Sequence, residues 1–375
     1  RSAGWWTKHF TGAINPKEET MRADLAQQRV LGPGRSVTVE VPATSANVGP
    51  GFDCFGLALD WRERVNLAVM EDGYRIEVSG EGAAELPRDE GHLVIRAALV
   101  GLADLGVRAP GLWLSCRNTI PHARGLGSSS AAIVAGLLAA AGLAEVPAIP
   151  EWLLGHANAI EGHPDNVAAA IYGGFVLAYE GRAGVAVAQG NVHPSIAAAL
   201  FIPDTSVGTA LARGLLPEMV PHVEAAANSG RAALLVHALA SEPDLLYDAS
   251  CDWLHQGYRE AAMPRSYELM KSLRGQGFAA MISGAGPSVL VLGTRADLAL
   301  LQDQQIAGFS VRLSEIGAAA SIIDAPIIDS SDVSGPADQT VMETPGSGAS
   351  LIEPTRSGQL RRPASQTSQV TKTHI

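Results

Sequence analysis

No two of the three cysteines, Cys54, Cys116 and Cys251, lie near one another, and no Cys-x-x-Cys pair or Cys/His group at zinc-ligand spacing occurs in the 375 residues. That excludes a disulfide-built scaffold and the common structural zinc sites, and three separate thiols suit a reducing compartment. Charge is scarce. Only 17% of residues are charged, and 27 basic against 38 acidic residues leave a net charge of −11. Broad nucleic-acid binding needs an excess of Lys and Arg, so that class is excluded, while a local basic pocket for a small anion is not. No run of 18 or more apolar residues is present. The most apolar stretch, 131–143, is too short to span a bilayer and consists largely of Gly and Ala. The first residues also lack the basic-then-apolar pattern of a signal peptide. The expectation is a cytoplasmic protein with neither membrane nor nucleic acid as a partner.

What is present supports a sizeable core, since 47% of residues are apolar and the length suffices for two packed domains. Residues 1–34 mix Trp5, Trp6, Gly and Pro without a stable period and read as a flexible N-terminal extension, with Met21 a candidate start. From Asp324 the chain turns rich in Ser, Thr, Pro, Gly and Gln, so 326–375 reads as a disordered tail. Between them helices and strands intermix, which predicts an α+β fold in two domains, 35–190 and 191–325. Alternation over Ser36–Val41 predicts a half-buried strand, and Val65–Met70 with Tyr74–Ser79 reads as a hairpin around Asp72-Gly73. A helix is predicted over His92–Leu105, another over Ser128–Ala141 ended by Gly142, and two more over Val220–Ala227 and Arg231–Leu239.

The segment Pro121-His-Ala-Arg-Gly-Leu-Gly-Ser-Ser-Ser130 carries the chemistry. A phosphate needs converging donors with no side chains in the way. Gly125 and Gly127 let the backbone fold tightly, Ser128, Ser129 and Ser130 can cap the helix and donate hydroxyls, and the helix behind aims its positive end at the same point. Arg124 adds a full positive charge. The segment is not a P-loop, a dinucleotide fingerprint or a nucleophile elbow, because the required Lys and Gly spacings are missing. Three further segments are unusually polar or glycine-rich. In Pro42–Gly56, Asn47 and Asp53 sit in a Gly/Pro-rich turn that is either an Asx-type turn or a polar-ligand site. In Glu161-Gly-His-Pro-Asp-Asn166, Glu161 suits Mg²⁺ and Asp165 an accepting hydroxyl, unless the segment is a solvated loop. Ser283-Gly-Ala-Gly-Pro-Ser288 is either a tight strand-to-strand turn or a backbone surface closing the pocket.

In this order, Pro42–Gly56, Pro121–Ala132 and Ser283–Ser288 resemble the GHMP kinase superfamily. Four segments are most similar to its homoserine kinase branch in actinobacterial form: Thr44–Asp53, Glu161–Val167, Thr209-Ala-Leu-Ala-Arg-Gly-Leu-Leu-Pro217 and Leu254-His-Gln-Gly-Tyr-Arg-Glu-Ala-Ala-Met-Pro264. The resemblance implies a GHMP kinase fold, with an N-terminal domain like ribosomal protein S5 domain 2 and a ferredoxin-like C-terminal domain. It implies ATP on Pro121, His122, Ala123, Arg124, Gly125, Leu126, Gly127, Ser128, Ser129 and Ser130, with His92 near the nucleotide where many relatives have Asn. Mg²⁺ would be held by Ser129 and Glu161, and L-homoserine by Asn47, Asp53, His163, Asp165, Asn166, Arg213 and Arg259. Asp165, Arg213 and Ser129 would be the catalytic set, in a step of threonine biosynthesis. Asp53 suits the substrate ammonium, and Arg213 with Arg259 the carboxylate. A kinase for another small alcohol and a non-catalytic ligand-binding relative stay open. A homodimer is carried as an expectation that no motif decides.

Overall fold

The computed structural model describes residues 28–182 and 184–323. Most of the extension and the whole tail therefore lie outside the described residues. The strands are β1 (Arg29–Val30), β2 (Ser36–Ala46), β3 (Phe55–Met70), β4 (Gly73–Gly80), β5 (Val107–Arg108), β6 (Gly111–Asn118), β7 (Phe175–Gly181), β8 (Gly184–Gly190), β9 (Ile196–Pro203), β10 (Ala279–Ile282), β11 (Val289–Thr294), β12 (Phe309–Ser314) and β13 (Ser321–Ile323). The helices are α1 (Leu93–Asp104), α2 (Ser128–Ala144), α3 (Pro150–Glu161), α4 (Pro164–Tyr172), α5 (Thr209–Gly214), α6 (His222–Ala240), α7 (Leu246–Ala249), α8 (Pro264–Gly275) and α9 (Arg295–Ala299), with 3₁₀ turns at Pro243–Leu245 and Gly257–Ala262. The fold is α+β.

One sheet runs β13-β2-β3-β6-β4, with β7 also paired to β3 and β8 to β7. The other is antiparallel throughout, in the order β10-β11-β9-β12. Taken in chain order its strands stand second-third-first-fourth, with helices between the first and second and between the third and fourth, which is the ferredoxin-like pattern. Strand β9 is buried along its whole length. Ile196, Ala198, Leu200 and Ile202 face the core that also holds Val39, Leu57 and Leu137, while Ala197, Ala199 and Phe201 face a second core with Leu273 and Ile282. Burial on both faces is why this strand reads as an unbroken apolar run.

Four expectations need correction. The strands β3 and β4 do not form a hairpin: β6 lies between them, antiparallel to β3 and parallel to β4. The connection crosses the start of β6 at Gly111, where a Cβ would come within 2.4 Å of the Asp72 backbone. Helix α2 runs through Gly142 to Ala144; a Cβ at Gly142 would lie 2.7 Å from Val37 Cγ2, so this glycine serves packing rather than termination. The two helices expected around 220–239 are one, because Gly230 meets nothing and leaves the helix intact. The last residues of the extension are packed: Arg29–Val30 pair with β5, Leu31 is buried, and Arg29 Nη2 donates to Ala144 O at 2.8 Å. Among the described residues no helix is long and apolar enough to cross a membrane.

Helices α1 and α2 meet almost backbone to backbone. A Cβ at Gly136 would stand 2.4 Å from Val94 O and 2.9 Å from Ala98 N. Helix propensity alone would favour Gly136→Ala by about 1 kcal/mol. Overpacking a rigid contact costs roughly 1–3 kcal/mol, and here the clash is with backbone. Urea unfolding is therefore expected to show Gly136→Ala as net destabilised; an equal or higher midpoint would mean that the helices part without cost.

Candidate functional site

Strand β2 ends at Ala46, and the chain turns through Asn47 and Val48, both in the left-handed region at φ 65° and 44°. Strain of this kind persists only where surrounding contacts enforce it. Those contacts are present. Asn47 Nδ2 donates to Gly284 O at 2.8 Å, and its Oδ1 accepts the Asp53 N–H at 3.0 Å. The Ser283–Ser288 turn, which joins β10 to β11, is bolted to the glycine loop as well. Ser283 Oγ bonds Ser45 Oγ at 2.8 Å and donates to Gly125 O at 2.6 Å, and Gly284 N–H donates to Ala46 O at 3.1 Å. The segment is thus both the strand-to-strand turn and a wall of the site.

The loop's glycines are fixed by close approach as well as by φ. Gly125 and Gly127 lie at φ 70° and 69°; a Cβ at Gly125 would come within 2.1 Å of Ser283 O, and one at Gly127 within 1.9 Å of Thr44 Oγ1. Gly127 caps α2, and no side chain caps it, so the serines do not act as expected there. The first intrahelical bond is Ala131 N–H to Gly127 O at 2.8 Å, which leaves the amides of Ser128, Ser129 and Ser130 as the open donors of the helix start. The Ser129 hydroxyl donates to Glu161 Oε1 at 2.6 Å and the buried Ser130 hydroxyl to the same oxygen at 3.0 Å. Arg124 is engaged differently from the expectation. Its guanidinium donates to the carbonyls of His122, Pro203 and Asp204 at 2.7, 3.1 and 2.8 Å, which ties the loop to the end of β9.

Glu161 closes α3, and Asp165 and Asn166 lie in the first turn of α4. Asp165 is buried, Asn166 N–H donates to its Oδ1 at 2.8 Å, and Asn166 Oδ1 accepts the Thr44 hydroxyl at 2.9 Å. Gly56 allows this helix to approach β3, since a Cβ there would meet Asp165 O at 2.2 Å. His163 Nδ1 lies 3.6 Å from Asp165 Oδ1, too long for a hydrogen bond, so the two interact through charge. The Asp165 carboxylate holds the imidazole pKa above its ordinary value, with burial opposing.

Asp53 and Arg213 form a forked ion pair, at 2.5 Å from Nη2 to Oδ1 and 3.1 Å from Nη1 to Oδ2. They were expected to meet opposite ends of a ligand; here they meet each other. The pair's side chains are 36% and 35% exposed. Arg259 is 1% exposed and has no carboxylate within 4 Å among the described residues. It donates to Ala212 O and Gly284 O, both at 3.3 Å, and faces His255 Nδ1 at 3.1 Å. His255 is neutral in this setting. Burial lowers its pKa, and the partners assign its hydrogen to Nε2, which donates to Gly49 O at 2.7 Å. Burial, and then the like charge of Arg213, push the Arg259 pKa down, and the more distant charges of Asp53, Asp252 and Asp165 oppose that fall.

These segments surround one cavity of about 330 Å³. Every residue expected at the site lines it except Ser130, which is behind the wall and reaches Glu161 instead. His92 is the N-cap of α1, its Nδ1 accepting the Val94 N–H at 3.3 Å. Sequence reasoning missed Glu63, Leu86, Asn118 and Thr209, which also line the cavity. For Glu63 a signal existed: Trp61, Val65, Leu67 and Val69 form the inward row of β3, and Glu63 takes the same phase. Chemically, the site offers open helix-start amides beside a hydroxyl–carboxylate pair, and next to them a cluster of two cations and two carboxylates.

Residues 92–174 match the family of GHMP kinases N terminal domain. The chain is 50% identical over 280 residues to homoserine kinase of Cutibacterium acnes, covering 73% of this chain and 94% of that one. It is 50% identical over 260 residues to homoserine kinase of Streptomyces coelicolor, covering 68% and 84%. Among solved structures, homoserine kinase from Cytophaga hutchinsonii is similar with a TM-score of 0.68 at 30% identity, covering 77% of this chain and 97% of that one. Mevalonate diphosphate decarboxylase from Staphylococcus aureus, at 14% identity and a TM-score of 0.58 over 77% of this chain and 98% of that one, shares the fold.

Proposed function

The chain belongs to the homoserine kinase family of the GHMP kinases, and from that membership we propose how its cavity carries the γ-phosphate of ATP to the hydroxyl of L-homoserine, giving O-phospho-L-homoserine and ADP. The observation that carries the assignment of the substrate end is Arg259, a buried cation with no carboxylate partner among the described residues, beside an opposed Asp53–Arg213 pair. An amino acid brings a carboxylate for the cations of this cluster and an ammonium for its carboxylates. Its carboxylate binds Arg259 and Arg213, and its ammonium takes Asp53. An ion pair one-third exposed contributes about 0–1 kcal/mol, so the zwitterion opens it at little cost. The pair thus keeps the two charges neutralised until the ligand replaces each partner.

Phosphoryl transfer depends on alignment and on neutralising charge on the transferred group. The amides of Gly125–Ser129 hold the phosphates. Ser129 and Glu161 are hard oxygen donors at the helix start, which suits Mg²⁺, an ion bound by one or two protein ligands plus phosphate oxygens. The metal supplies charge neutralisation when bound. Asp165 and Asn166 hold the homoserine hydroxyl toward the γ-phosphorus. Asp165 is mainly a positioning group in this reading, since its Oδ1 is already bonded to Asn166 N–H and its charge faces the positive start of α4. The three free cysteines suit the reducing cytoplasm in which we place the enzyme.

The direct test is ADP release from Mg-ATP with L-homoserine, with mevalonate and galactose in parallel. Turnover with homoserine alone is expected; none would sink the reading. In the same assay Asp165→Asn should lower kcat by less than about tenfold, because a true general base contributes about 10²–10⁴. A thousandfold loss would instead make Asp165 the obligatory base.

A further inference from the structure

Strand β3 sends Leu57, Leu59, Trp61, Val65, Leu67 and Val69 into the main core, and Glu63 shares their face at 8% exposure. A carboxylate in that row is expensive unless something uses it. Its Oε2 accepts the N–H groups of Thr119 and Ile120 at 2.9 and 3.3 Å. No Lys, Arg or His lies within 4 Å of it among the described residues. Burial raises its pKa, and the two backbone donors oppose that rise. The backbone contacts occupy one oxygen, and the side chain lines the cavity.

A second buried group on the same cavity has no partner. His92 is 4% exposed; its Nδ1 accepts the Val94 N–H, so its hydrogen sits on Nε2, which has no hydrogen-bond partner among the described residues. Burial pushes its pKa down to about 4, and it stays neutral as a donor. Leu86, Leu93, Val94 and Pro121 supply apolar walls. The position along the loop decides what this end holds. Thr119 and Ile120, which bond Glu63, lead into the loop, whereas Gly127 packs on Thr44 and Asn166 and Ser129 bonds Glu161. With the phosphates on Gly125–Ser129 and the amino acid at Asp53, Arg213 and Arg259, the nucleoside extends toward Glu63.

We infer that Glu63 is the nucleobase-specificity residue, its free carboxylate oxygen accepting a hydrogen bond from the exocyclic amine of adenine, with His92 Nε2–H as the donor to the nucleoside. This rests on the kinase reading above for the placement of the phosphates. A 6-oxo purine presents an acceptor where adenine presents a donor, and two acceptors repel. Glu63→Gln offers a directed reversal. Its oxygen stays on the two backbone N–H groups, and its NH₂ replaces the acceptor facing the base.

The test has two arms. In the first, wild-type protein binds ATP and purine riboside triphosphate, which lacks only the 6-amino group, with affinity measured by calorimetry without homoserine. A loss of about tenfold or more is expected for the analogue, the range of a hydrogen bond to a charged group; equal affinity would overturn the inference. In the second, Glu63→Gln should lower the ratio of ATP to inosine triphosphate affinity by at least tenfold. A folded variant with weakened affinity for both but an unchanged ratio would assign Glu63 a structural role and refute the proposal. Because both arms read binding, they decide the matter even if homoserine-dependent turnover is absent, which would count against the kinase reading alone.

Discussion

Arg259→Lys is expected to lower kcat/KM for homoserine by about two to three orders of magnitude while KM for ATP changes less than about threefold. The buried guanidinium serves Ala212 O, Gly284 O and His255 Nδ1 and still has donors for a carboxylate, because its fork holds five N–H groups in one plane. Lysine keeps the charge but has three donors on one atom, so it cannot hold the loops and pair with the substrate at once. Truncating one side of a buried charge pair costs about 2–5 kcal/mol, and about 1.4 kcal/mol is a factor of ten. Steady-state kinetics with each substrate varied in turn will separate the two constants. A parallel rise in both KM values would mean that the loops had shifted, and no change in either would remove Arg259 from the substrate site.

Glu161→Gln is expected to lower kcat roughly a hundredfold, the scale of a metal's charge stabilisation, and to raise the Mg²⁺ concentration for half-maximal rate about 10- to 100-fold. The substitution is informative because Glu161 Oε1 accepts from both serine hydroxyls, at 2.6 and 3.0 Å. A glutamine oxygen can keep both bonds, so the change removes charge and leaves the helix start in place. Magnesium titration at fixed ATP reads the effect. If kcat and the magnesium dependence both stay within about twofold, Glu161 anchors the serines and nothing more.

Of the two residues, Glu161 was legible from its own segment, and the reason is local, whereas Arg259 came only from the resemblance. Chemistry that needs several polar groups within a few residues leaves a composition that a core does not tolerate, as in Glu161–Asn166, and a loop that must fold on its own backbone leaves glycines, as at Gly125 and Gly127. The roles of the three serines were less legible. Gly127 occupies the capping position, and the hydroxyls of Ser129 and Ser130 converge on one oxygen 31–32 residues further along.

By itself the sequence determined the α+β class and marked the glycine-rich loop and the Glu161–Asn166 segment, because each follows from backbone freedom, periodicity or the cost of polar groups near one another along the chain; His92, Arg213 and Arg259 came only from the resemblance. Tertiary structure decided what those residues face. It inserted β6 between β3 and β4, where a turn signal had implied a hairpin, because strand pairing is a non-local choice that a turn does not fix. It set Asp53 against Arg213 across 160 positions and buried Arg259 with no carboxylate within 4 Å among the described residues. It also put Glu63 into the cavity through two backbone amides 56 and 57 residues away. Charge complementarity depends on distance in space, and only the packed sheets and helices supply that distance.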